Sequence, residues 1–281
     1  MSAEPAPASS VGVRRKGARR IAEIPRAVLR ALNEGREETI TLVEWLAIDD
    51  AKLLASVLPD AGFTAAQTRV TVEHADEVAD LGIQERVKRI GAQLFVTLRA
   101  DRRRERRFEA LATHGSDRVR SLAAYSVTAD EELALAKRLA VAKRFAADRS
   151  MSVRECAWDS FRPWLARELA RGLELLEPWV RDRDEGVRRC AVEATRPRGV
   201  WTRHLEELKA EPERARRLLD PVRSDPSDYV RRSVGNWLND ASKSRPEWVR
   251  ALAEEWGRTS KTAETAWIVR HALRTLRKGG G

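Results

Sequence analysis

The chain has 281 residues, of which 42% are hydrophobic, and it carries a formal net charge of +10 at pH 7. This content is enough to bury a core, and the length suits one extended array or two ordinary domains. No run approaches the roughly 18 consecutive apolar residues of a membrane helix, and the N-terminus lacks the apolar core of a secretion signal. We therefore expect a soluble, cytoplasmic protein, and the excess of arginine favours a polyanionic partner.

The first 20 residues, MSAEPAPASSVGVRRKGARR, combine proline, alanine and serine with a basic cluster. Such a composition buries little surface and is typical of disordered segments. We predict a disordered basic arm at residues 1–20 and a single folded domain at residues 21–281. A solvated tail and a nonspecific contact with DNA are both compatible with this arm.

Helical patterns begin at Ile21. The first are IPRAVLRALNEG and EETITLVEWLAIDDAKLLASVL, with a break at Asn33 and Gly35, and LGIQERVKRIGAQLFVTLR and RERRFEALATHG follow. No strand-like alternation with hairpin turns is found along the chain. The chain is therefore predicted to be all-α.

A Val-Arg dipeptide recurs in the second half of the chain and indicates a repeat architecture. Its copies are Val119-Arg120, Val153-Arg154, Val187-Arg188, Val230-Arg231 and Val269-Arg270, spaced by 34, 34, 43 and 39 residues. These periods are those of two-helix solenoid units. We predict an α-α superhelix in which the second helix of each repeat begins at Val-Arg and lines a concave basic groove. The repeat arginines are expected to bind the acidic loop of an adjacent repeat rather than phosphate.

The helical wheel of VRECAWDSFRP places four side chains together on the groove side, namely Glu155, Trp158, Asp159 and Arg162. The corresponding positions in the following repeats include Arg189, Glu193, Arg196, Arg232 and Asn236. The predicted groove face is rich in arginine but is interrupted by the carboxylates of Glu155, Asp159 and Glu193. These carboxylates either stabilise a cation in a site or belong to a solvated ion network, and the residues alone favour neither.

Tryptophan and cysteine add further expectations. Trp158 has few apolar neighbours in its helix, so we predict that its indole contacts a ligand, with Trp201 and Trp237 as weaker candidates. Cys156 and Cys190 occupy equivalent repeat positions that face the helix packing, and we predict that both are buried free thiols. The histidines and cysteines show no metal-ligand spacing, so no metal site is expected.

Three segments of the chain resemble one family of enzymes. ALNEGREETITLVEWLAIDDAKLL, SVRECAWDSFRPWL and VRRCAVEATRPRGVWTRH are similar to the HEAT-like-repeat alkylpurine DNA glycosylases, and within them to the AlkC branch. The likeness runs from about Ile21 to Arg277. It implies a HEAT-like-repeat solenoid that hydrolyses the N-glycosidic bond of N3- or N7-alkylated bases in duplex DNA without flipping the base. Some members carry an immunoglobulin-like module after the solenoid, and this chain ends at LRKGGG, so we expect either the short form without that module or a chain from which the module has been removed.

The resemblance also implies roles for the groove residues. An alkylated purine is already cationic and leaves without a strong general acid, so the enzyme has to stabilise a deoxyribosyl cation and place a water molecule. In this interpretation Glu155 and Asp159 lie at the lesion, Trp158 is the aromatic contact, and Glu193 assists them. Phosphate contacts are expected from Arg162, Arg189, Arg196 and Arg232, and other DNA contacts from Asn236, Trp201 and Trp237. We expect a monomer that binds alkylated duplex DNA and uses no cofactor, metal or membrane.

Two other functions are compatible with the same features. Arrays of this type commonly act as scaffolds, so a basic groove also suits a non-catalytic protein that binds nucleic acid or an acidic protein partner. A nonspecific nucleic-acid binder is the third interpretation, in which affinity ignores the lesion and falls steeply with salt. Release of free base from methylated duplex DNA separates the enzyme from both.

Overall fold

The computed structural model describes residues 15–199 and 202–278, and these residues form α-helices and short 3-10 helices without a β-strand. The prediction of an all-α helical-repeat solenoid is confirmed. In chain order the α-helices are α1 (Arg26–Asn33), α2 (Leu42–Leu46), α3 (Asp50–Asp60), α4 (Ala65–Glu77), α5 (Ile83–Arg99), α6 (Arg104–Ala112), α7 (Asp117–Thr128), α8 (Leu135–Ala146), α9 (Met151–Arg167), α10 (Leu169–Leu176), α11 (Glu185–Ala194), α12 (Glu206–Ala210), α13 (Arg216–Leu219), α14 (Asp228–Ser242), α15 (Pro246–Thr259), α16 (Ala263–Ala272) and α17 (Arg274–Lys278).

One helix of each repeat contributes to a continuous layer. Helices α5, α7, α9, α11, α14 and α16 pack against one another in that order. Helices α6 and α15 each contact two successive members, and α8 contacts three, namely α7, α9 and α11. In α7, α9, α11 and α14 the valine of the Val-Arg signal is the third helical residue and is buried. The N-cap positions before these four helices are Ser116, Ser150, Asp184 and Ser227, residue types that favour a helix start. The sequence signal therefore marks the start of each of these four helices.

Two of the five repeat arginines, Arg120 and Arg188, form the predicted contact with the acidic loop of an adjacent repeat, and Arg154, Arg231 and Arg270 do not among the described residues. In Arg120, Arg154, Arg188 and Arg231 the Nη1 atom donates hydrogen bonds to the carbonyls six and five residues earlier, at 2.6–3.1 Å. Arg120 also binds Asp148, and Arg188 binds Asp225, each with an Nε to Oδ2 distance of 2.7 Å. These two carboxylates lie in the loop of the following repeat, so the arginines join neighbouring repeats through bidentate ion pairs.

The fifth copy of the signal does not open a helix. Helix α16 begins at Ala263, so Val269 and Arg270 lie in its second half, and Arg270 is exposed. The helix is capped instead by the side chain of Thr262, which accepts a hydrogen bond from the backbone of Thr265 at 3.2 Å. The predicted helix start at Val269 is therefore wrong, because the Thr262 cap sets the boundary at an earlier residue.

The packed body begins before the predicted boundary at residue 20. The Arg15 guanidinium pairs with the fully buried Glu44 at 2.5 Å, and the backbone N–H of Ala18 donates to the same carboxylate at 3.0 Å. The hydroxyl of Thr41 donates to the carbonyl of Ala18 at 2.8 Å. Residues 15–18 are thus part of the fold, because Glu44 needs these donors when it is buried. The rest of the predicted arm, residues 1–14, lies outside the described residues.

Both cysteines are buried and unpaired, as predicted. Burial raises the pKa of the Cys156 thiol to about 12 and also raises that of Cys190. Among the described residues, no helix is both long and apolar enough to cross a lipid bilayer. The thiols therefore serve as small apolar packing groups within the helix layer.

Candidate functional site

A cleft of about 1340 Å³ opens on the continuous layer formed by α5, α7, α9, α11, α14 and α16. One wall comes from the segment before α2, from α2 itself and from the start of α5, and the floor and opposite wall come from α9, α11 and α14. Six of the residues predicted for the site line this cleft, namely Glu155, Arg189, Glu193, Arg196, Arg232 and Asn236. The sequence therefore predicted the contribution of α9, α11 and α14, but not the wall formed by α2, the segment before it and the start of α5.

The expected basic character is not found in the cleft. Among the described residues, its lining contains four arginines and five carboxylates. The arginines are Arg149, Arg189, Arg196 and Arg232, and the carboxylates are Glu38, Glu85, Glu155, Glu193 and Asp228. The lining therefore carries no net positive charge, because each predicted arginine lies close to an acidic side chain.

The centre of the floor is an arginine between two glutamates. Arg189 Nη2 lies 2.6 Å from Glu155 Oε1 and 3.7 Å from Glu193 Oε2. All three groups are largely buried, and the Glu155 side chain is the most accessible, at 20% exposure against 7% for Glu193. Two carboxylates and one shared guanidinium give this cluster a formal charge of −1.

The cluster continues toward the C-terminal end of the cleft. Arg196 pairs with Glu193 and with Asp240, at 2.6 Å in each case, and the Ser233 hydroxyl donates to Glu193 Oε2 at 2.6 Å. The carboxylates and arginines thus form an ion network, which was one of the two interpretations of the sequence. The network is mostly buried rather than solvated, so its charges are screened less than those of a surface pair.

The two glutamates of the floor differ in their proton affinity. Burial raises the pKa of Glu155, an effect that Arg189 opposes and the charge of Glu193 reinforces. Burial acts on the pKa of Glu193 in the same direction, but Arg189, Arg196 and Ser233 outweigh it and the pKa is lowered. Neighbouring carboxyls with pKa values pushed apart are suited to different roles. Glu193 is suited to a permanent negative charge, and Glu155 to accepting a proton.

Tyr229 is a cleft residue that the sequence reasoning missed. Its half-buried ring lines the cleft one residue before the Val-Arg signal of α14. The guanidinium carbons of Arg189 and Arg154 lie 4.3 and 5.0 Å from the ring centroid, within cation–π range. The only sequence signal was an aromatic residue at the first turn of a repeat helix, a position that the wheel of α9 did not mark.

An apolar lip borders the charged floor. Ile40, Leu42, Leu46 and Met151 line the cleft, and each is exposed. The segment that carries Ile40 is held by Asp117, which accepts hydrogen bonds from the backbone and hydroxyl of Thr39 at 3.2 and 2.5 Å. The cleft therefore offers an apolar surface beside its carboxylates.

The prediction that Trp158 and Trp237 offer exposed indoles is wrong. Trp158 is 3% exposed and Trp237 is fully buried. The Trp158 indole donates to Glu155 Oε2 at 3.0 Å, and the Trp237 indole donates to the Thr195 carbonyl at 2.9 Å. Helices α9 and α14 each pack between two neighbouring helices of the layer. These neighbours cover the side chains that a helical wheel of the single helix places in the open. Trp201 lies outside the described residues.

Asp159 is also enclosed rather than presented to the cleft. It is 3% exposed, and its Oδ2 atom lies 2.5 Å from the Tyr125 hydroxyl and 2.8 Å from Lys88 Nζ. Burial raises the pKa of Tyr125 well above its ordinary value, and the Asp159 charge adds to the effect, so the phenol stays a donor. The predicted contact between Asp159 and the lesion is therefore not available in this arrangement.

Arg162 serves the fold and not a phosphate. It is buried, and it donates to the carbonyls of Ala194, Arg196 and Arg203 at 2.5, 2.7 and 3.1 Å. Burial lowers its pKa to about 10, although Asp159 and Glu193 oppose the effect. The expected phosphate contact is wrong because the guanidinium closes the end of α11, where the chain turns after Ala194.

The two remaining predicted DNA contacts lie on the cleft wall. Arg232 is 66% exposed and pairs with Asp228 at 2.6 Å. The Asn236 Oδ1 atom lies 2.9 Å from both His271 Nε2 and Arg274 Nη2. Arg232 is therefore free to change partner, whereas Asn236 is already held by its neighbours. No cluster of three or more metal-ligating side chains occurs in residues 15–199 and 202–278.

The chain matches a protein-family model described as DNA alkylation repair enzyme over residues 81–276. It is also 42% identical over 86 residues to the uncharacterized protein YhaZ of Bacillus subtilis (strain 168), a stretch that covers 31% of this chain and 24% of that protein. The match to YhaZ carries no functional statement of its own. It shows that a related segment occurs within a much longer chain.

Solved structures resemble this fold. The alkylpurine DNA glycosylase AlkC of Pseudomonas fluorescens, bound to DNA containing an abasic site analog, aligns with a TM-score of 0.70 and 31% identity over 82% of this chain and 63% of that chain. AlkD2 from Streptococcus mutans aligns with a TM-score of 0.55 and 19% identity, over 74% of this chain and 97% of that one, and shows the fold alone. The chain spans less than two thirds of the length of AlkC and about a quarter of YhaZ.

Proposed function

The chain belongs to the DNA alkylation repair enzyme family, and on this premise we propose that it is a DNA glycosylase. Its proposed substrate is a cationic alkylated base of the 3-methyladenine type in duplex DNA. The observation that carries the proposal is the Glu155–Arg189–Glu193 cluster, a buried group of net negative charge on the floor of an open cleft. The similar AlkC structure, which is bound to DNA containing an abasic site analog, supports DNA as the partner.

The chemistry requires little of the protein beyond charge and position. When the C1′–N bond breaks, its electron pair moves to the base and cancels the positive charge there, while positive charge develops on the sugar. Water then forms the C1′–O bond and releases one proton. A carboxylate about 4 Å from the sugar cation stabilises it by roughly 4 kcal/mol at an effective dielectric of about 20.

The two glutamates divide this work. Glu193 has a lowered pKa and stays ionised, so it supplies the permanent negative charge beneath the sugar. Glu155 is more accessible and has a raised pKa, so it orients the attacking water and accepts its proton. Arg189 holds both carboxylates and prevents their mutual repulsion from opening the floor.

Tyr229, rather than Trp158, is the proposed aromatic contact of the cleft. Trp158 is buried and donates its indole N–H to Glu155, so it positions the carboxylate. Tyr229 lines the cleft beside Arg189, and its ring attracts a positive charge by about 0.5–2 kcal/mol. Arg232 is the proposed phosphate contact, because its guanidinium is exposed at the cleft wall and held only by a surface carboxylate.

The proposed reaction leaves the base within the duplex. Enzymes that flip a base enclose it in a snug pocket between aromatic or apolar side chains. Among the described residues of the cleft, Tyr229 is the single aromatic side chain that is not buried, since Trp45 packs in the core. The cleft is open and its carboxylates lie on the floor, an arrangement that suits attack on the sugar from outside the stack.

Incubation with dimethyl sulfate-treated duplex DNA and chromatography of the released bases tests the proposal. The expected result is free 3-methyladenine in excess over an untreated-DNA control and over a Glu155→Gln control. If stoichiometric protein binds the DNA but releases no base, the enzyme is excluded and the non-catalytic scaffold remains. If binding is also absent, both nucleic-acid functions fail.

A further inference from the structure

A strongly basic surface lies outside the cleft, where α5 ends and α6 begins. Residues 99–107, RADRRRERR, contain six arginines and two carboxylates, a large part of the net charge of the chain in nine residues. Five of the arginines are exposed, and we call them the arginine corner: Arg99, Arg102, Arg103, Arg104 and Arg106. The function proposed for the cleft makes no use of them.

The arginine corner places, within eight residues, five exposed cations without a carboxylate partner. Some exposed arginines elsewhere pair with a carboxylate, as Arg89 does with Glu85 and Arg144 with Glu109, both at 2.7 Å. Others, such as Arg26, Arg183 and Arg258, also have no carboxylate within 4.0 Å among the described residues, but they do not form a cluster of this size. Within residues 15–199 and 202–278, no ion pair within 4.0 Å involves a member of the arginine corner. Asp101 is already paired with the buried Arg107. Like charges this close repel one another, so an external anion gains from binding here.

A polar hollow of about 510 Å³ lies beside the arginine corner. Arg102, Arg103 and Arg107 line it together with Thr64, Gln67, Thr97, Ala100 and the carboxylate of Asp101, which pairs with Arg107. Arg107 is 5% exposed, and its Nε atom has no hydrogen-bond partner among the described residues. The exposed guanidinium groups of Arg102 and Arg103 at this hollow are suited to a phosphate oxygen. The hydroxyls of Thr64 and Thr97 already donate to Gln67 and Gln93.

The arginine corner and the cleft lie at opposite ends of one helix. Ile83, the first residue of α5, lines the cleft, and Arg99 is its last residue. At 1.5 Å per residue the two ends are about 24 Å apart, which corresponds to roughly 7 base pairs of B-DNA at 3.4 Å each. A duplex centred on the cleft must therefore extend at least this far to reach the arginine corner.

We propose that the arginine corner is a second contact surface for duplex DNA, which binds backbone phosphates about 7 or more base pairs from the lesion. This inference rests on the proposed function for its choice of DNA over other polyanions. It also answers a difficulty of that function, since the cleft lining has no net positive charge with which to attract DNA. The arginine corner then adds affinity for a long duplex, and the cleft holds the lesion and supplies the chemistry.

The test is the triple variant Arg102→Gln, Arg103→Gln, Arg106→Gln. Its matched control removes the same charge from exposed, paired arginines elsewhere: Arg171→Gln, Arg181→Gln, Arg250→Gln. Fluorescence anisotropy measures the affinity of each protein, over a range of salt, for duplexes of 12 and 30 base pairs that carry an abasic-site analog at their centre, so that the cleft and not the arginine corner holds the short duplex. We expect about a tenfold loss for the long duplex in the corner variant and less than a twofold loss for the short one. The log–log salt slope for the long duplex should flatten by about 0.9 for each phosphate that the variant no longer neutralises.

Several results would overturn the inference. They are a long-duplex affinity equal to that of the control variant, an equal loss for both lengths, or a loss confined to RNA of the same length. Base release from methylated DNA at saturating protein is measured separately and should match that of the wild type. A wild type that releases no base refutes the glycosylase, whereas a length-dependent loss of binding would still establish the second surface.

Discussion

Arg189 and Glu155 form an ion pair of 2.6 Å on the floor of the cleft, and the same guanidinium lies 3.7 Å from Glu193. Arg196 lies 2.6 Å from both Glu193 and Asp240, so the three carboxylates and two arginines of this network carry a formal charge of −1. The remaining negative charge is held in a mostly buried position, where electrostatic interactions are stronger than in water. In the proposed reaction this charge attracts the sugar cation only as that cation forms, which favours the transition state over the resting DNA.

Glu155→Gln is expected to slow base release by about 100-fold, or roughly 2.7 kcal/mol, because the shape is kept and the charge is lost. Affinity for undamaged duplex should stay within twofold. Single-turnover release of 3-methyladenine measures the first quantity and anisotropy the second. Glu174→Gln, an exposed carboxylate far from the cleft lining, is the control. Wild-type rates in the Glu155 variant would refute its role.

The rate of base release should depend on pH through Glu155. Its pKa is raised above the ordinary 4.5, mainly by burial, and the carboxylate must be ionised to accept a proton from water. The rate is therefore expected to rise with pH and to level off above a midpoint higher than 4.5. In the Glu155→Gln variant, the rate of base release should no longer rise with pH in this range. If the rate of that variant still rises with pH as in the wild type, another group is responsible for the pH dependence.

Substitution of Tyr229 separates its ring from its hydroxyl. Tyr229→Phe keeps the ring against Arg189 and should release base at close to the wild-type rate. Tyr229→Ala removes the cation–π attraction of about 0.5–2 kcal/mol and should slow release by roughly 2- to 30-fold. Single-turnover rates of both variants decide the matter. Equal losses in the two would show that the hydroxyl, which lies 3.3 Å from Arg154 Nε, is the group that matters.

Substitution of Arg162 should lower the stability of the fold, whereas substitution of Arg232 should lower the affinity for DNA. Arg162→Ala leaves one buried and two partly buried carbonyls without their donor and is expected to lower the free energy of unfolding by about 3 kcal/mol. Arg232→Ala removes an exposed side chain and should change stability by no more than about 0.5 kcal/mol. Arg232→Ala should weaken DNA binding and reduce the steepness of the slope of log affinity against log salt concentration by about 0.9. Urea unfolding and anisotropy of both variants give the comparison.

Both thiols should be unreactive in the folded protein. Cys156 is buried and its pKa is raised to about 12, and the pKa of Cys190 is raised as well, so almost no thiolate exists at about pH 8. A thiol-specific disulfide reagent is expected to label neither residue in native buffer and both in denaturant. Fast labelling of one thiol without denaturant would show that the helix layer opens around it.

The architecture could be derived from the sequence because its signals are local and repeated. Each Val-Arg signal follows an N-cap residue by three positions, and the buried valine then sets the face that packs. The backbone hydrogen bonds of the first four repeat arginines follow from the same spacing, since each guanidinium reaches back to its own loop. The signal failed at Val269, where Thr262 supplies a stronger helix start earlier in the chain.

The site was predicted only in part. The wheel of α9 marked Glu155 correctly as a cleft residue, but it also placed Trp158, Asp159 and Arg162 in the open. A wheel describes one helix in isolation, and in the solenoid the flanks of α9 are covered by α7 and α11. Lys88 on α5 reaches Asp159 on α9, far along the sequence, a contact that no local pattern encodes.

The amino-acid sequence by itself determined the helices, the repeats, the buried cysteines and the presence of carboxylates among arginines on one face, because each depends on residues within a few turns of one another. Tertiary packing alone decided which of those carboxylates faces the cleft, which cation each one holds, and that Tyr229 rather than Trp158 supplies the accessible ring. These outcomes depend on how far neighbouring helices cover one another. Burial and distance between helices then set the charge state of each group, and neither quantity can be read from spacing along a single helix.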